Sequence, residues 1–194
     1  MRGIQQKFDF FCYAIDHTEV VMVLVQKLTQ GMPGRIILDK GNFYVPSATR
    51  QAKRVNELYK AGCQFKMLRP AGMGWPNMHA KTLLCDDMLA ITGSCNLTHN
   101  GMVSSKEHVY VVSYPKVVGE LVADFESTWE LAETVGSKEI DEMMRKDAER
   151  NDKKVKDNEI KIKAAEAEAA AGNSSRRETE RSLAAELLEV AGQK

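Results

Sequence analysis

The sequence has few of the features that mark secreted, metal-binding or membrane-spanning proteins. Its four cysteines, Cys12, Cys63, Cys85 and Cys95, lie far apart, with no C-x-x-C pair and no cysteine and histidine cluster at zinc spacing. We therefore expect buried free thiols in a reducing, intracellular compartment. No apolar run approaches the length of a membrane span, and the first residues do not resemble a signal peptide.

The sequence also has no net charge, because 27 basic residues balance 27 acidic ones. This balance excludes a globally basic footprint for nucleic acid, although a local patch remains possible. One basic run lies within residues 40–54 and contains Lys40, Arg50, Lys53 and Arg54. Such a run is typical of a solvated face, and a groove for anionic lipid or nucleic acid is the alternative.

Aromatic residues are absent after residue 136, and this divides the chain into a folded domain, 1–136, and a charged tail, 137–194. Alternating charges and many alanines favour an exposed helical tail. We expect "GNSS" (172–175) to break this helix, and Ser175 with Glu178 to cap a last amphipathic helix. A solvated extension is the simplest interpretation, and a partner-binding helix within 138–194 is the alternative.

The first half of the domain alternates between strand and helix patterns. Asp16 is placed to cap the first helix and Gly31 to end it. Crossover helices between successive strands imply parallel pairing, so the pattern predicts an α/β fold. In chain order the predicted segments are strand 8–15, helix 16–31, strand 35–39, helix 47–62 and strand 64–69.

The second half changes to antiparallel signals. Two short strands, 78–85 and 88–92, are joined at Asp86-Asp87 and predict a hairpin. A further strand, 108–113, precedes a helix over 115–133 whose apolar residues recur at helical spacing. That helix is expected to cover one face of the sheet.

The hairpin brings polar groups together. His79 and Lys81 are two residues apart, so on a strand they share a face, and Gly93–Asn96 should lie beside them. Lys81 supplies charge, Asn96 an N–H donor, and His79 a nucleophile or proton carrier. A phosphodiester fits this set best. A neutral carbonyl would not require the lysine, and a metal site would want more carboxylates or histidines.

Six residues in this stretch resemble the HxKxxxxD…GSxN motif of the phospholipase D superfamily. They are His79, Lys81, Asp86, Gly93, Ser94 and Asn96. The similarity extends over roughly residues 5 to 133. It implies a mixed sheet flanked by helices, and it does not cover the charged helical tail that follows this domain as an extension. Family domains usually begin with another strand and helix, so the resemblance implies that both are missing here, with any N-terminal anchor.

Because only one motif is present, the chain is most similar to the single-motif members, the bacterial endonuclease-like and mitochondrial cardiolipin hydrolase group. That resemblance implies a homodimer in which two histidines share one phosphate, without metal or cofactor. It implies a phosphodiester hydrolase similar to cardiolipin hydrolase, located in the cytoplasm or at the mitochondrial surface. The alternatives are an endonuclease on single-stranded RNA or DNA and a truncated inactive homologue that serves as an interaction protein.

The resemblance also assigns roles to residues. His79 would form a phosphohistidine, and Lys81 and Asn96 would bind the non-bridging oxygens. Ser94 would orient the histidine or donate to the phosphate, and Glu107 would accept the other histidine N–H. Asp86 and Gly93 are expected to be structural. We expect no role for His99, His108 or Cys95, whereas Tyr44 and Trp75 are either loop anchors or groove residues.

Overall fold

The computed structural model describes residues 3–46, 48, 50–72 and 76–191, with side chains as far as residue 167. Trp75 and the side chains of Ser175 and Glu178 lie outside the described residues, so the predictions for them are not addressed. The chain forms two compact units, Met1–Asp147 and Ala148–Lys194.

The first unit holds a mixed sheet of seven strands with helices packed on it, as the sequence predicted. The elements are β1 (Phe8–Cys12), α1 (Thr18–Thr29), β2 (Gly34–Asp39), α2 (Lys40–Tyr44), α3 (Gln51–Lys60), β3 (Gln64–Leu68), β4 (Lys81–Cys85), β5 (Leu89–Gly93), β6 (Val109–Val112), α4 (Pro115–Leu131), β7 (Glu133–Val135) and α5 (Ser137–Ala191). A π-helical turn, Asn100–Ser104, lies between β5 and β6.

The strand order is β6-β5-β4-β1-β2-β3-β7. β1, β2 and β3 pair in parallel, which confirms the helical crossovers predicted for the first half. β4, β5 and β6 form an antiparallel meander next to β1, and β7 pairs antiparallel with β3. β1 is therefore central and buried along its whole length, which explains why it reads as a nearly continuous apolar run.

Two apolar clusters lie on opposite faces of this sheet. Phe8 and Phe10 belong to the cluster that contains Leu24 of α1 and Leu58 of α3. Phe11 belongs to the other cluster, in which Phe125 and Trp129 of α4 are buried, so the predicted covering helix is confirmed. Ile140 and Met143, at the start of α5, are buried in the first cluster. The apolar surface that these residues remove from water stabilises both faces of the sheet.

The predicted cap of α1 is wrong by one residue. His17 occupies the cap position and makes no side-chain capping bond. Asp16 instead accepts the backbone N–H of His99 at 2.7 Å through its carboxylate. The carboxylate therefore joins the start of α1 to the loop that follows β5, a long-range contact that no local helix signal indicates.

The predicted break at residues 172–175 is also wrong, because α5 continues through them. One glycine inside a helix costs about 1 kcal/mol, and the flanking alanine, glutamate and arginine residues favour helix strongly. Residues 151–167 are exposed, as expected for a solvated helix. Among the described helices, none is both long enough and apolar enough to cross a membrane.

Candidate active site

The predicted hairpin is present, and its register brings the start of β4 and the end of β5 together at the open end. β4 and β5 pair antiparallel through Thr82↔Thr92 and Leu83↔Ile91. Asp86 and Asp87 lie in the turn with φ of 56° and 54°, left-handed values that aspartate tolerates better than most residues. Continued by one residue, the register sets Lys81 opposite Gly93, the last residue of β5.

His79 does not lie on the strand, so the prediction that it shares a strand face with Lys81 is wrong. β4 begins at Lys81, and His79 belongs to the irregular segment before it. The two side chains meet because Lys81 reaches back. Its ammonium donates to the His79 carbonyl oxygen at 2.6 Å and lies 2.9 Å from His79 Nδ1.

Lys81 is a buried cation that has no carboxylate ion-pair partner among the described residues. Only 8% of the residue is exposed, whereas lysine is rarely buried unless it is paired. In the described part of the chain no carboxylate lies within ion-pair distance of its ammonium. Burial lowers the pKa of Lys81, and the charge of Glu107 opposes part of that shift. The site therefore holds a positive charge that an anionic ligand would neutralise.

His79 is exposed and its imidazole is biased toward the neutral form. Burial of its inner edge lowers the pKa of His79, the charge of Lys81 lowers it further, and Asp39 opposes them. Because an ammonium only donates, Nδ1 accepts from Lys81, and a neutral ring then carries its proton on Nε2. A neutral imidazole is the form that serves as a nucleophile or general base.

Asp39 positions the segment that carries His79. It is 5% exposed and ends β2. One carboxylate oxygen accepts the backbone N–H of Met78 at 2.9 Å, and the other accepts that of Asn42 at 2.7 Å. The sequence analysis missed this residue. An acidic residue at the carboxyl end of a parallel strand was the available signal, since that edge of a sheet commonly carries sites.

Ser94 and Glu107 join β5 to β6. The Ser94 hydroxyl donates to Glu107 and accepts the backbone N–H of His108 at 3.1 Å. A hydroxyl has one proton, so Ser94 cannot donate to a phosphate while it donates to Glu107. Glu107 was expected to accept an N–H of the His79 ring. In this structure Glu107 contacts Ser94 instead, and the Nδ1 atom of His79 contacts Lys81.

Two glycines allow close backbone approaches in the site. A Cβ at Gly93, where φ is +156°, would meet the His108 carbonyl oxygen. A Cβ at Gly101 would meet the carbonyl oxygen of Asn96. Gly93 therefore lets β6 pair closely with the end of β5. Gly101, which the sequence analysis missed, lets the π-helical turn pack on the backbone of Asn96.

Asn96 lines a cavity of about 690 Å³ next to the motif, together with Asp16, His17, Arg50 and His99. The rings of His17 and His99 stack with centroids 6.3 Å apart, which places His99 beside the site although no role was predicted for it. Asn96 Oδ1 and His17 Nδ1 are buried without a hydrogen-bond partner among the described residues. The cavity gives the site a polar extension.

Asp86, the remaining motif residue, lies at the other end of β4. Its carboxylate accepts the backbone N–H groups of Gln5 at 2.9 Å, Gln6 at 2.7 Å and Lys7 at 3.0 Å. Burial alone raises the pKa of Asp86, but these three bonds outweigh it and the pKa is lowered. The contacts hold the segment before β1 against the hairpin turn.

Two cations of the basic run around α3 are paired with acids. Lys40 pairs with Glu133 at 2.7 Å, and Arg54, which is 9% exposed, bonds to Glu57 at 2.7 Å. Tyr44 packs on Phe43 in the first core cluster rather than beside the motif residues. Within the described ranges no group of three or more histidine, cysteine, aspartate or glutamate residues is arranged to hold a metal ion.

Comparisons with known proteins are consistent with this geometry. Residues 2–129 match the family model described as "Cardiolipin synthase, PLD-like domain". The mitochondrial cardiolipin hydrolase of Chlamydomonas reinhardtii is 24% identical over 123 residues, which are 63% of this chain and 51% of that protein. The chain thus spans about half the length of this curated relative.

Two solved structures share the fold. The phospholipase D family member Nuc from Salmonella typhimurium has a TM-score of 0.60 at 18% identity, over 70% of this chain and 86% of that chain. NucT from Helicobacter pylori has a TM-score of 0.59 at 15% identity, over 69% of this chain and 85% of that chain. At these identities the likeness concerns the fold alone.

Proposed function

We propose that this chain, which belongs to the phospholipase D superfamily, is a metal-independent phosphodiester hydrolase that acts through a phosphohistidine on His79. One observation carries the proposal. The Lys81 ammonium is buried without a carboxylate partner in the described structure and lies 2.9 Å from the His79 ring. A buried unpaired charge costs several kcal/mol. A phosphate oxygen would neutralise this charge beside the nucleophile.

In the first proposed step, the non-bridging oxygens draw the Lys81 ammonium away from His79 Nδ1, and Asn96 donates to one of them. Nδ1 then carries the ring proton, so the Nε2 lone pair is free to attack phosphorus. The P–O bond to the leaving group breaks as the P–N bond forms. His79 of the partner subunit, in its protonated form, gives its proton to the leaving oxygen.

In the second step, the now neutral ring of His79 of the partner subunit takes a proton from water. The resulting hydroxide attacks phosphorus, the P–N bond breaks, and its electron pair returns to His79. One imidazole must be neutral while the other is protonated. The apparent pKa values of activity therefore belong to the pair of histidines.

The partner subunit in this mechanism is a second copy of the chain, and β6 offers it a surface. β6 is the last strand at its side of the sheet, and Val109, Tyr110 and Val111 are 52%, 62% and 66% exposed. Exposed apolar residues on an edge strand favour association. This strand begins two residues after Glu107, so a copy docked here lies beside the site.

Light scattering coupled to size exclusion tests the second copy. We expect a dimer, and we expect Val111→Glu to give a folded monomer that has lost hydrolysis. Met22→Glu is the matched control, because Met22 is 64% exposed on α1 and should leave the dimer intact. A monomer with undiminished activity would remove the shared site from the mechanism.

Phospholipid of the cardiolipin class is the proposed substrate. The family description and the curated relative's name both refer to cardiolipin enzymes. The balanced charge and the paired state of Lys40 and Arg54 argue against a continuous nucleic-acid groove. Single-stranded RNA or DNA is the second candidate, since its phosphodiester undergoes the same chemistry.

The deciding experiment measures hydrolysis of a chromogenic phosphodiester in the presence of chelator. We expect His79→Ala to lower the rate by about 10³-fold or more. His108→Ala, at an exposed histidine outside the motif, should stay within about twofold of the parent. Activity that survives His79→Ala would contradict the phosphohistidine.

Parallel assays on cardiolipin vesicles and on labelled single-stranded RNA separate the substrates. Cleavage of vesicles supports the proposed substrate, and cleavage of RNA alone replaces it with the nuclease. If no phosphodiester is cleaved, the interaction-protein alternative remains, and capture of a partner through the tail within 138–194 becomes the next measurement.

A further inference from the structure

Tyr13 lies directly after β1, where the chain leaves the centre of the sheet. Cys12, the residue before it, pairs with Lys81 on β4, so Tyr13 comes beside the segment that carries His79. The buried side chains of Asn42 and Gln51 hold this backbone. The Asn42 amide donates to the Tyr13 carbonyl oxygen, and Gln51 accepts the backbone N–H of Ile15 at 3.2 Å. The position of the Tyr13 ring is therefore set by the core.

The ring of Tyr13 contacts both of the groups expected to act on the phosphate. Its centroid is 4.4 Å from that of His79, with the planes at 62°, an edge-to-face arrangement. The Lys81 ammonium lies 4.9 Å from the same centroid, within the range of a cation–π contact. The ring is only half-buried, so it forms part of the wall of the site.

We propose that Tyr13 is a positioning residue that holds the Lys81 ammonium and the His79 imidazole against one aromatic ring, so that both face the same phosphate. The inference rests on the function proposed above for His79 and Lys81. A lysine side chain is flexible and strongly hydrated. The negative face of the ring keeps the ammonium at the site and limits the rotation of the imidazole.

Comparison with another aromatic contact shows why a ring suits this place better than an acid. The Lys146 ammonium lies 4.3 Å from the Tyr44 centroid and also pairs with Glu142 at 2.9 Å. At Tyr44 the cation is thus neutralised by a carboxylate. Among the described residues, Lys81 instead contacts the ring, a carbonyl and the imidazole. A carboxylate beside Lys81 would repel an incoming phosphate. The ring attracts the ammonium without cancelling its charge.

The test compares Tyr13→Phe with Tyr13→Leu. Phenylalanine keeps the aromatic face, so kcat on the chromogenic phosphodiester should stay within about threefold of the parent. Leucine removes the face and should lower kcat by about 10- to 100-fold with a smaller change in KM. Tyr44→Phe and Tyr44→Leu are the matched pair at a cation–π contact away from the site, and neither should change kcat.

A titration of His79 by NMR gives a readout that does not depend on activity. Burial lowers the pKa of His79, and the charge of Lys81 lowers it further. If the ring holds the ammonium, Tyr13→Leu releases it, the pKa of His79 rises toward its ordinary value, and Tyr13→Phe leaves it unchanged. A circular dichroism melt establishes that each variant is folded, and Tyr13→Met replaces Tyr13→Leu if leucine prevents folding.

The outcomes separate the two proposals. If the parent cleaves no phosphodiester, the proposed function fails, and the titration still decides the role of Tyr13. Equal His79 pKa values in the parent and the leucine variant would overturn the positioning role, as would equal kcat values in an active protein. A phenylalanine variant as impaired as the leucine variant would overturn it too, because the hydroxyl rather than the ring would then be responsible.

Discussion

The two ends of the β4–β5 hairpin differ in how their charges are neutralised. At the turn, Asp86 accepts three backbone N–H groups, and Asp87 pairs with Lys7 at 2.8 Å. At the open end, Lys81 is more buried yet meets no carboxylate in the described structure, and Asn96 keeps a buried oxygen without a partner there. The contacts at the turn satisfy its polar groups, whereas those at the open end leave a cation and a side-chain amide for the phosphate that we propose.

The fold does neutralise buried charge where no ligand is needed. Asp9, which is 2% exposed, pairs with Arg35 at 2.6 Å, and Arg35 pairs with Glu126 on α4. Arg35 also lies 5.0 Å from the ring of Phe125. The hydrogen bonds from Arg35 to Asp9 and to Glu126 raise the pKa of Arg35, and the bond to Asp9 has the larger effect. Among the buried cations of the described structure, Arg54 pairs with Glu57, whereas Lys81 meets no carboxylate.

The largest effect is expected for Lys81→Met. Loss of the charge should lower hydrolysis by about 10²- to 10³-fold, because the phosphate loses its cation. The same change should raise the midpoint of chemical denaturation, because the fold no longer desolvates an unpaired ammonium. Lys66→Met is the control, since Lys66 also bonds a carbonyl and lies over Trp129, away from the motif. A lower midpoint of denaturation together with undiminished hydrolysis in Lys81→Met would contradict this difference between the turn and the open end of the hairpin.

Asp86→Asn should destabilise the fold by about 1–3 kcal/mol without a direct effect on chemistry, because the turn loses a charged acceptor for three N–H groups. Asp87→Asn is the control, because asparagine adopts the same left-handed backbone conformation. It should lower the free energy of unfolding by less than about 0.5 kcal/mol, since the ion pair between Asp87 and Lys7 is exposed. Urea denaturation at neutral pH measures both.

The Asp86 contribution also has a defined pH dependence. The pKa of Asp86 is lowered in the folded chain, so its stabilisation is present above the unfolded value of about 3.9 and is lost as the pH falls through the folded value. The difference between the parent and Asp86→Asn should therefore shrink in acid. A constant difference down to strongly acidic pH would point to the loss of packing instead.

The smallest effect concerns the acid limb of the activity profile. Protonation removes the nucleophilic lone pair of His79, so kcat/KM should fall as the pH decreases through the lower apparent pKa of the histidine pair. Burial and the charge of Lys81 lower the pKa of His79, which puts the limb below the ordinary histidine value of about 6.5. An NMR titration of Lys81→Met sharpens this prediction, because the pKa of His79 should rise once the charge is removed. An unchanged value would show that Lys81 does not act on the ring.

Local patterns predicted most of the elements but not their exact ends. Alternation, crossover helices and the Asp86-Asp87 turn indicated β1 to β6, α1, α3 and α4, because each signal comes from residues close in the chain. α2 and β7 are short, and only their packing on β2 and β3 explains them. Asp16 was misplaced for the same reason, since its carboxylate contacts the distant backbone of His99.

The candidate site divides in the same way. The motif spacing alone indicated His79, Lys81, Ser94 and Asn96, because a hairpin converts spacing along the chain into proximity. Tyr13, Asp39 and Gly101 could not be found from spacing. They reach the site only because β1 lies between β2 and β4 and because the turn after β5 folds back onto Asn96. The sequence by itself thus determined which chemical groups are present. The tertiary structure decided that the lysine is buried, that it lacks an acid among the described residues, and that an aromatic ring lies beside it, since burial depends on how distant strands assemble.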